Sequence, residues 1–393
     1  MPHSLDVDRI RAETPGVAHG VHLLASGSSL MPQTVVDAVI EHTQLEANIG
    51  GYEAQRAKQE ALNGVYGSVA RHLNASPREI ALVENATVAW CHAFYALPLR
   101  PKSRILTSEA EYAANYVAFL QRAKREDLSI EVVPSDHSGA LDVSALEEML
   151  DEDVGLIAIT WVPTNGGLVN PAAEVGKIAR RAGVPYLLDA CQAAGQMPLD
   201  VHELGCDFLS ATGRKFLRGP RGTGFLYVRD AWLDALEPAM IDHFGAPWVA
   251  RDRYEVRSDA RRFETWENAY ALRAGLGAAV DYADALGIPA IHERIGALAG
   301  RCRDLLRAHP AIELRDIGVE QCGIVSFSVP DKDPAAIKQQ MSEAGFSIGL
   351  SQPSSTRIDS ERRGLPTLLR IAPHCYNTED EIDRAVEELS KHV

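Results

Sequence analysis

Residues 189–224 run DACQAAGQMPLDVHELGCDFLSATGRKFLRGPRGTG. Asp189 closes an apolar run, VPYLLDA (184–190), and Lys215 follows 26 residues later, between the strand-like segments DFLSAT (207–212) and GTGFLYV (222–228). In an open α/β sheet, ligands sit at the carboxyl ends of the strands. A single loop lysine is ordinarily a solvated cation. Here Thr212, Gly213 and Arg214 precede it, and together they could grip an anion while Lys215 faces inward.

Outward from this block, strand-like and helical runs alternate. RILTSE (104–109), IEVVPS (130–135) and GLIAITWV (155–162) read as strands; residues 115–124, 144–150 and 172–181 read as helices, the last stopping at Gly183. The rhythm predicts an α/β fold, and runs so continuously apolar suit strands covered on both faces. Two longer helices, 33–46 and 53–72, precede it. After Asp281 helical segments such as 291–308 frame short strands, IVSFSVP (324–330) and LLRIAPH (368–374). The expected organisation is an N-terminal segment, 1–20, that packs with a small α+β C-terminal domain, 281–393, and a large domain, 21–280, with a mostly parallel sheet.

The 393 residues, 46% of them hydrophobic, suffice for one large or two moderate domains. Lys plus Arg (39) against Asp plus Glu (54) gives a net charge of −15, which disfavours nucleic acid or an anionic membrane as the main partner. The six cysteines are scattered without a CxxC pair, so no metal site is expected and the thiols read as reduced. MPHSLDVDRIRAE lacks an apolar signal core, and no window approaches the ~18 apolar residues of a spanning helix. A cytoplasmic protein is expected.

A strand-end Asp and a loop Lys are what pyridoxal phosphate needs: the carboxylate keeps the pyridine nitrogen protonated, and the amine forms the Schiff base and moves protons. At this point DACQAAG, SATGRKFLRGPRGTGFLYV and, far downstream, LRIAPHCYNTEDEID resemble the class V aminotransferase family of fold-type I pyridoxal-phosphate enzymes, with weaker similarity over nearly the whole chain. The family includes cysteine desulfurases, isopenicillin N epimerase and several carbon-sulfur lyases. The resemblance implies that Lys215 bears the cofactor, Asp189 meets its ring nitrogen, and Gln192 donates to its phenolic oxygen. In WVPTNGG, Thr164 takes the place of a family Asn that faces the same oxygen. Asn85, Ala86 and Thr87 of ENATVAW open a helix whose N–H groups suit the phosphate, and Thr212 and Arg214 complete the cup, with Arg214 where many relatives carry His. In SEAEYAAN, Tyr112 stands where desulfurase-type relatives place a ring-stacking His, and its phenol could also pass protons. Arg370 matches the arginine that holds the substrate carboxylate in a two-pronged grip. Family members complete the phosphate cup from a partner subunit, which implies a homodimer and makes Thr265 of FETWENAY the donor. Ser28 lies in a segment, HLLASGSS (22–29), similar to the loop crossing the family's active-site mouth, and Arg357 could read a second acidic group on a substrate.

The cofactor alone does not choose the reaction. A desulfurase needs a mobile-loop cysteine to accept sulfur, and residues 347–367 contain none; Cys375 lies beyond Arg370, with poor reach. The texture of RKFLRGPRGTG and RGLPTLLRIAPHCYNT most resembles carbon-sulfur β-lyases acting on a cysteine conjugate or its sulfoxide. An amino-acid epimerase of the isopenicillin N type ranks second, a class V transaminase third. A catalytically silent relative is disfavoured by the retained Lys215, Asp189 and Arg370.

Overall fold

The computed structural model describes residues 5–393. Seven strands form the main sheet: β1 Ile80–Val83, β2 Arg104–Ser108, β3 Ser129–Val133, β4 Val154–Thr160, β5 Tyr186–Asp189, β6 Phe208–Thr212 and β7 Gly224–Val228. Their spatial order is β1-β7-β6-β5-β4-β2-β3. The pairs β2–β3, β2–β4, β4–β5 and β5–β6 are parallel, while β7 runs antiparallel to both β6 and β1. Successive residues serve opposite faces, as the two-residue period of a strand requires. Ile157, Ile159, Leu188, Phe225 and Tyr227 enter one apolar core, and Leu156, Ala158, Leu187, Leu226 and Val228 enter another around Trp90, Phe94 and Phe119. Runs without polar alternation therefore mark strands buried on both sides.

Helices α2 Gln59–Leu73, α3 Ala86–Ala96, α4 Ala113–Glu126, α5 Ala172–Ala182 and α6 Tyr270–Leu286 flank the sheet, and α1 Gln33–Ile49 packs on α6. α5 ends where Gly183 turns left-handed (φ 67°) and its N–H caps Ala179 O and Arg180 O. The single helix expected over 53–72 is two: Gly51–Ala57 stops at Lys58, whose φ of −107° leaves the helical range, and α2 begins at Gln59. Lys58 reaches instead to Glu41 on α1 at 2.5 Å.

Beyond α6, the long helix α7 Ile288–Arg307 leads into a four-stranded antiparallel sheet of β8 Glu313–Leu314, β9 Val325–Ser328, β10 Gly349–Ser351 and β11 Leu368–Ile371, ordered β8-β9-β11-β10. Helix α8, Glu379–Ser390, packs on it. The N-terminal chain joins this layer: Val21 pairs with Phe346, Leu24 bridges Ala372, and Val21 and Leu23 enter the same core as Phe327 and Leu369. It then turns toward the carboxyl ends of the main sheet, which brings residues 24–29 and Arg370 to one place. No helix among the described residues is long and apolar enough to cross a membrane.

Candidate active site

The parallel strands β2, β4, β5 and β6 deliver Ser108, Thr160, Asp189 and Thr212 at their carboxyl ends. Between them and the start of α3 lies a narrow cleft lined by Ala86, Thr87, Tyr112, Asn115, Thr160, Val162, Thr164, Asp189, Cys191, Gln192 and Lys215. Residues separated by more than a hundred positions converge here because every parallel strand ends on the same side.

Two glycines make the convergence possible. Gly195 adopts φ 89°, and a Cβ on it would come within 2.3 Å of the Phe216 backbone, so the DACQAAG turn packs directly beneath the loop that carries Lys215. On the other side, a Cβ on Gly224 would lie 2.8 Å from the Asn85 carbonyl carbon. β7 can therefore approach the start of α3.

Asp189 is buried. Its Oδ1 accepts from Cys191 N at 2.9 Å, and its Oδ2 accepts from Asn115 Nδ2, also at 2.9 Å. Asn115 in turn donates to Glu111 Oε1 at 2.7 Å. Burial lowers the pKa of Lys215, Cys191 and Asp189 draw it back up, and Arg214 and Arg370 push it down again. An amine so placed is more readily neutral, as a nucleophile or base must be.

Arg370, on β11, reaches the edge of the cleft. Its Nη1 donates to Thr164 O at 2.8 Å and to Thr164 Oγ1, and its Nε has no partner. Among the described residues no carboxylate pairs with it: Glu379, the acidic neighbour in its own segment, pairs with Arg294. Burial lowers the guanidinium's pKa to about 10, with Tyr112 nearby acting in the opposite sense. Gln192 donates Nε2 to Ser26 O at 3.1 Å and leaves Oε1 buried without a partner. Tyr112, partly exposed, caps α4, with its N–H on Glu111 Oε1 at 3.0 Å.

The expected residues Lys215, Asp189, Gln192, Tyr112, Thr164, Ala86 and Thr87 thus share one cleft, and Arg370 is bonded to its edge. Others stand elsewhere. Asn85 uses its side-chain oxygen to cap α3 at Val88 N (3.0 Å) and does not line the cleft. Thr212 donates its hydroxyl to Thr223 O at 3.2 Å, and Arg214 turns its guanidinium to Gly27 O, tying the lysine loop to the N-terminal crossing loop. In that loop Ser26 rather than Ser28 meets Gln192, because Ser28 turns back with its N–H on Leu24 O. Arg357 is exposed on a short helix and pairs with Glu361 one turn on, so a substrate-reading role has no support from its placement. Thr265 lies on a partly exposed loop, its hydroxyl on Glu267 O at 3.2 Å, and lines no part of this chain's cleft.

The sequence reading missed Glu111, Asn115, Thr160 and Cys191. Cys191, not Cys375, is the cysteine at the cleft. Cys375 is fully buried beside His374, its N–H on His374 Nδ1 at 2.8 Å, whereas Cys191 lines the cleft. Its place between Asp189 and Gln192, two residues assigned to the cofactor, was the available signal.

A family profile described as Aminotransferase class-V matches residues 21–385. A cysteine desulfurase of Dickeya dadantii is 30% identical, with 98% of this chain and 96% of the relative covered. A probable cysteine desulfurase of Methanothermobacter thermautotrophicus is 29% identical, with 97% of each covered. Among solved structures, the apo cysteine desulfurase of Thermococcus onnurineus superposes with a TM-score of 0.92 at 23% identity, covering 98% of both chains. The cystine C-S lyase C-DES, solved with its product cysteine persulfide, gives 0.86 at 22% identity, covering 96% of this chain and 99% of that one.

The residues present fit pyridoxal phosphate. The first N–H groups of α3 have no partner within the helix, and Ala86 and Thr87 stand at the cleft wall. Gln192 Oε1, Ser26 Oγ and Arg370 Nε are buried polar atoms without partners around the same space. Asp189 and Lys215 supply the carboxylate and the amine. With the profile matched over nearly its whole length, the protein belongs to the class V aminotransferase family and is a pyridoxal-phosphate enzyme of the fold-type I class.

Proposed function

We propose that this enzyme is a carbon-sulfur β-lyase acting on a cysteine conjugate or its sulfoxide, with Lys215 as the base. The observation that carries this reading is the state of the thiols. Residues 347–367 hold no cysteine, and Cys375 is sealed in the core with its pKa pushed up to about 11 by burial. Cys191 is held as a thiol by burial and by the Asp189 carboxylate beside it. A nucleophile toward sulfur must be a thiolate.

Bound pyridoxal phosphate supplies an electron sink for the bonds at an amino acid's Cα. In this reading Asp189 holds the ring nitrogen, Gln192 and Thr164 serve the phenolic oxygen, and Ala86 and Thr87 offer N–H groups to the phosphate. Arg370, already desolvated and lacking a carboxylate, receives the substrate's. Lys215 Nζ takes the Cα proton. The Cβ–S bond then breaks, the sulfur departs with its substituent and takes up a proton, and the three-carbon remainder hydrolyses to pyruvate and ammonia. Tyr112, beside Arg370, is the second group able to move a proton.

We also propose a homodimer in which Thr265 serves the partner's phosphate site, since Thr265 sits outside this chain's own cleft. Six free cysteines fit a reducing, cytoplasmic setting.

The test is a product survey with S-substituted cysteines and their sulfoxides. Stoichiometric pyruvate and ammonia, retained in Cys375→Ser and Cys191→Ala, support the lyase. Alanine as product with a protein persulfide would establish a desulfurase instead, and loss of optical activity without pyruvate an epimerase.

A further inference from the structure

Glu111 is a buried carboxylate that the cleft chemistry above leaves unexplained. It is 3% exposed, and among the described residues its bonded partners are neutral donors. Five donors surround it. Oε1 accepts from Thr160 Oγ1 (2.6 Å), Asn115 Nδ2 (2.7 Å) and Tyr112 N (3.0 Å), and Oε2 accepts from Thr160 N (2.9 Å) and Thr107 Oγ1 (3.1 Å). These donors come from β2, β4 and the start of α4, so the carboxylate pins three elements at the floor of the cleft.

The bond to Asn115 reaches furthest. One side-chain nitrogen, Asn115 Nδ2, bridges Glu111 Oε1 and Asp189 Oδ2 at 2.7 and 2.9 Å. An amide nitrogen carries two hydrogens, and an ionised carboxylate only accepts. Two carboxylates flanking one amide therefore fix which end of the amide faces them. With Glu111 neutral or absent, Asn115 could rotate and present its oxygen to Asp189, which repels it.

We propose that Glu111 is a positioning residue for the cofactor: through Asn115 it fixes the orientation of the Asp189 carboxylate, and its negative charge favours the proton on the cofactor's ring nitrogen. The proposal rests on the assignment of Asp189 to that nitrogen and is independent of which substrate is cleaved. A purely structural role would require only that the five donors be satisfied. Burial pushes the Glu111 carboxyl up to about 7 and Asp189 adds to the rise, while the hydrogen bonds from Thr160, Asn115 and Tyr112 favour its ionised form.

The test uses holoenzyme reconstituted with cofactor labelled with ¹⁵N in the pyridine ring, comparing the ring-nitrogen resonance of the unmodified protein with Glu111→Gln, Asn115→Ala and Asp189→Asn. Glu111→Gln keeps shape but removes charge. Asn115→Ala removes the bridge and leaves Glu111 its other four donors, so it carries the test if Glu111→Gln does not fold. Both are expected to shift the resonance toward the unprotonated position and to weaken cofactor affinity at least roughly tenfold, the worth of one charge-assisted hydrogen bond. A shift in Asp189→Asn with none in a folded Glu111→Gln or Asn115→Ala overturns the role of Glu111 alone. No shift even in Asp189→Asn overturns the assignment of Asp189, and this proposal with it.

Discussion

Replacing Arg370 by methionine separates what this residue does for the substrate from what it costs the fold. The side chain is buried, makes two bonds to Thr164, and has no acidic partner. Its pKa, lowered to about 10, measures how poorly the charge is accommodated: a displacement of that size corresponds to ~3 kcal/mol. For a base whose folded pKa lies below its unfolded one, this destabilisation is present in full at every pH well below 10 and relaxes only as pH rises past 10. Methionine removes that cost, fills a similar volume, and forfeits two hydrogen bonds that contribute ~1–3 kcal/mol each. The two effects nearly offset, so Arg370→Met should melt within a few degrees of the unmodified enzyme. Activity should not be offset. The guanidinium is desolvated before substrate arrives, so a carboxylate gains most of the value of a bidentate contact, ~3–6 kcal/mol for two charged hydrogen bonds. At 1.4 kcal/mol per decade, kcat/KM should fall by roughly two to four orders of magnitude. Steady-state pyruvate formation and a thermal melt test both halves. A kcat/KM within threefold of the parent would remove Arg370 from the substrate site, and a melting point lowered by more than ten degrees would show that the charge has a partner within the fold.

Lys215→Ala should abolish turnover, and borohydride treatment of the unmodified holoenzyme should fix the cofactor to the peptide containing Lys215; labelling of any other lysine contradicts the assignment. If the phosphate site is completed across a dimer, Thr265→Ala should weaken cofactor binding about tenfold, one lost hydrogen bond to a charged group, without lowering the melting point of the apoprotein. Sedimentation at sub-micromolar protein gives the complementary check, since a fully active monomer would end the shared-site reading.

What could be read in the sequence is what local pattern controls. VPYLLDA is apolar at every position before its final Asp189, which only a strand covered on both faces tolerates, and Gly183 marks the end of α5 because a left-handed residue was needed there. The loop carrying Lys215 was legible for the same reason: small residues between two apolar strands. The break at Lys58 was not legible, since helix-forming residues continue through it and the partner, Glu41, lies on another helix. Contacts set by the fold were also hidden. Glu111 and Asn115 are four residues apart and would pass for a helix-surface pair, but their shared partner Asp189 is 74 positions on from Asn115. Arg214 looks like a phosphate ligand until the N-terminal loop, 187 residues earlier in the chain, offers it the Gly27 carbonyl.

The relatives named cysteine desulfurases and the lyase reading differ over one atom, the sulfur acceptor, and the fold allows that difference without altering the rest of the cleft. In the proposed reading, removing a Cα proton and opening the Cβ–S bond use Asp189 at the end of β5, Lys215 in the loop after β6, and Arg370 on β11. Accepting sulfur needs a thiolate that can approach the substrate from outside this set. Cys191 lines the cleft, but desolvation and the neighbouring Asp189 carboxylate raise its pKa, against the pull of Lys215 and Arg214, and so disfavour the thiolate that role requires. Any change that turned it into a thiolate would disturb Asp189, whose Oδ1 its own backbone N–H supports. Cys375 is excluded by packing: it lies under Arg218 and Arg294, yet burial outweighs both cations and its pKa still rises to about 11. With both thiols disfavoured as acceptors, the proposed reading has the sulfur leave bonded to the rest of the substrate, and a protein persulfide found after turnover on cysteine would overturn it.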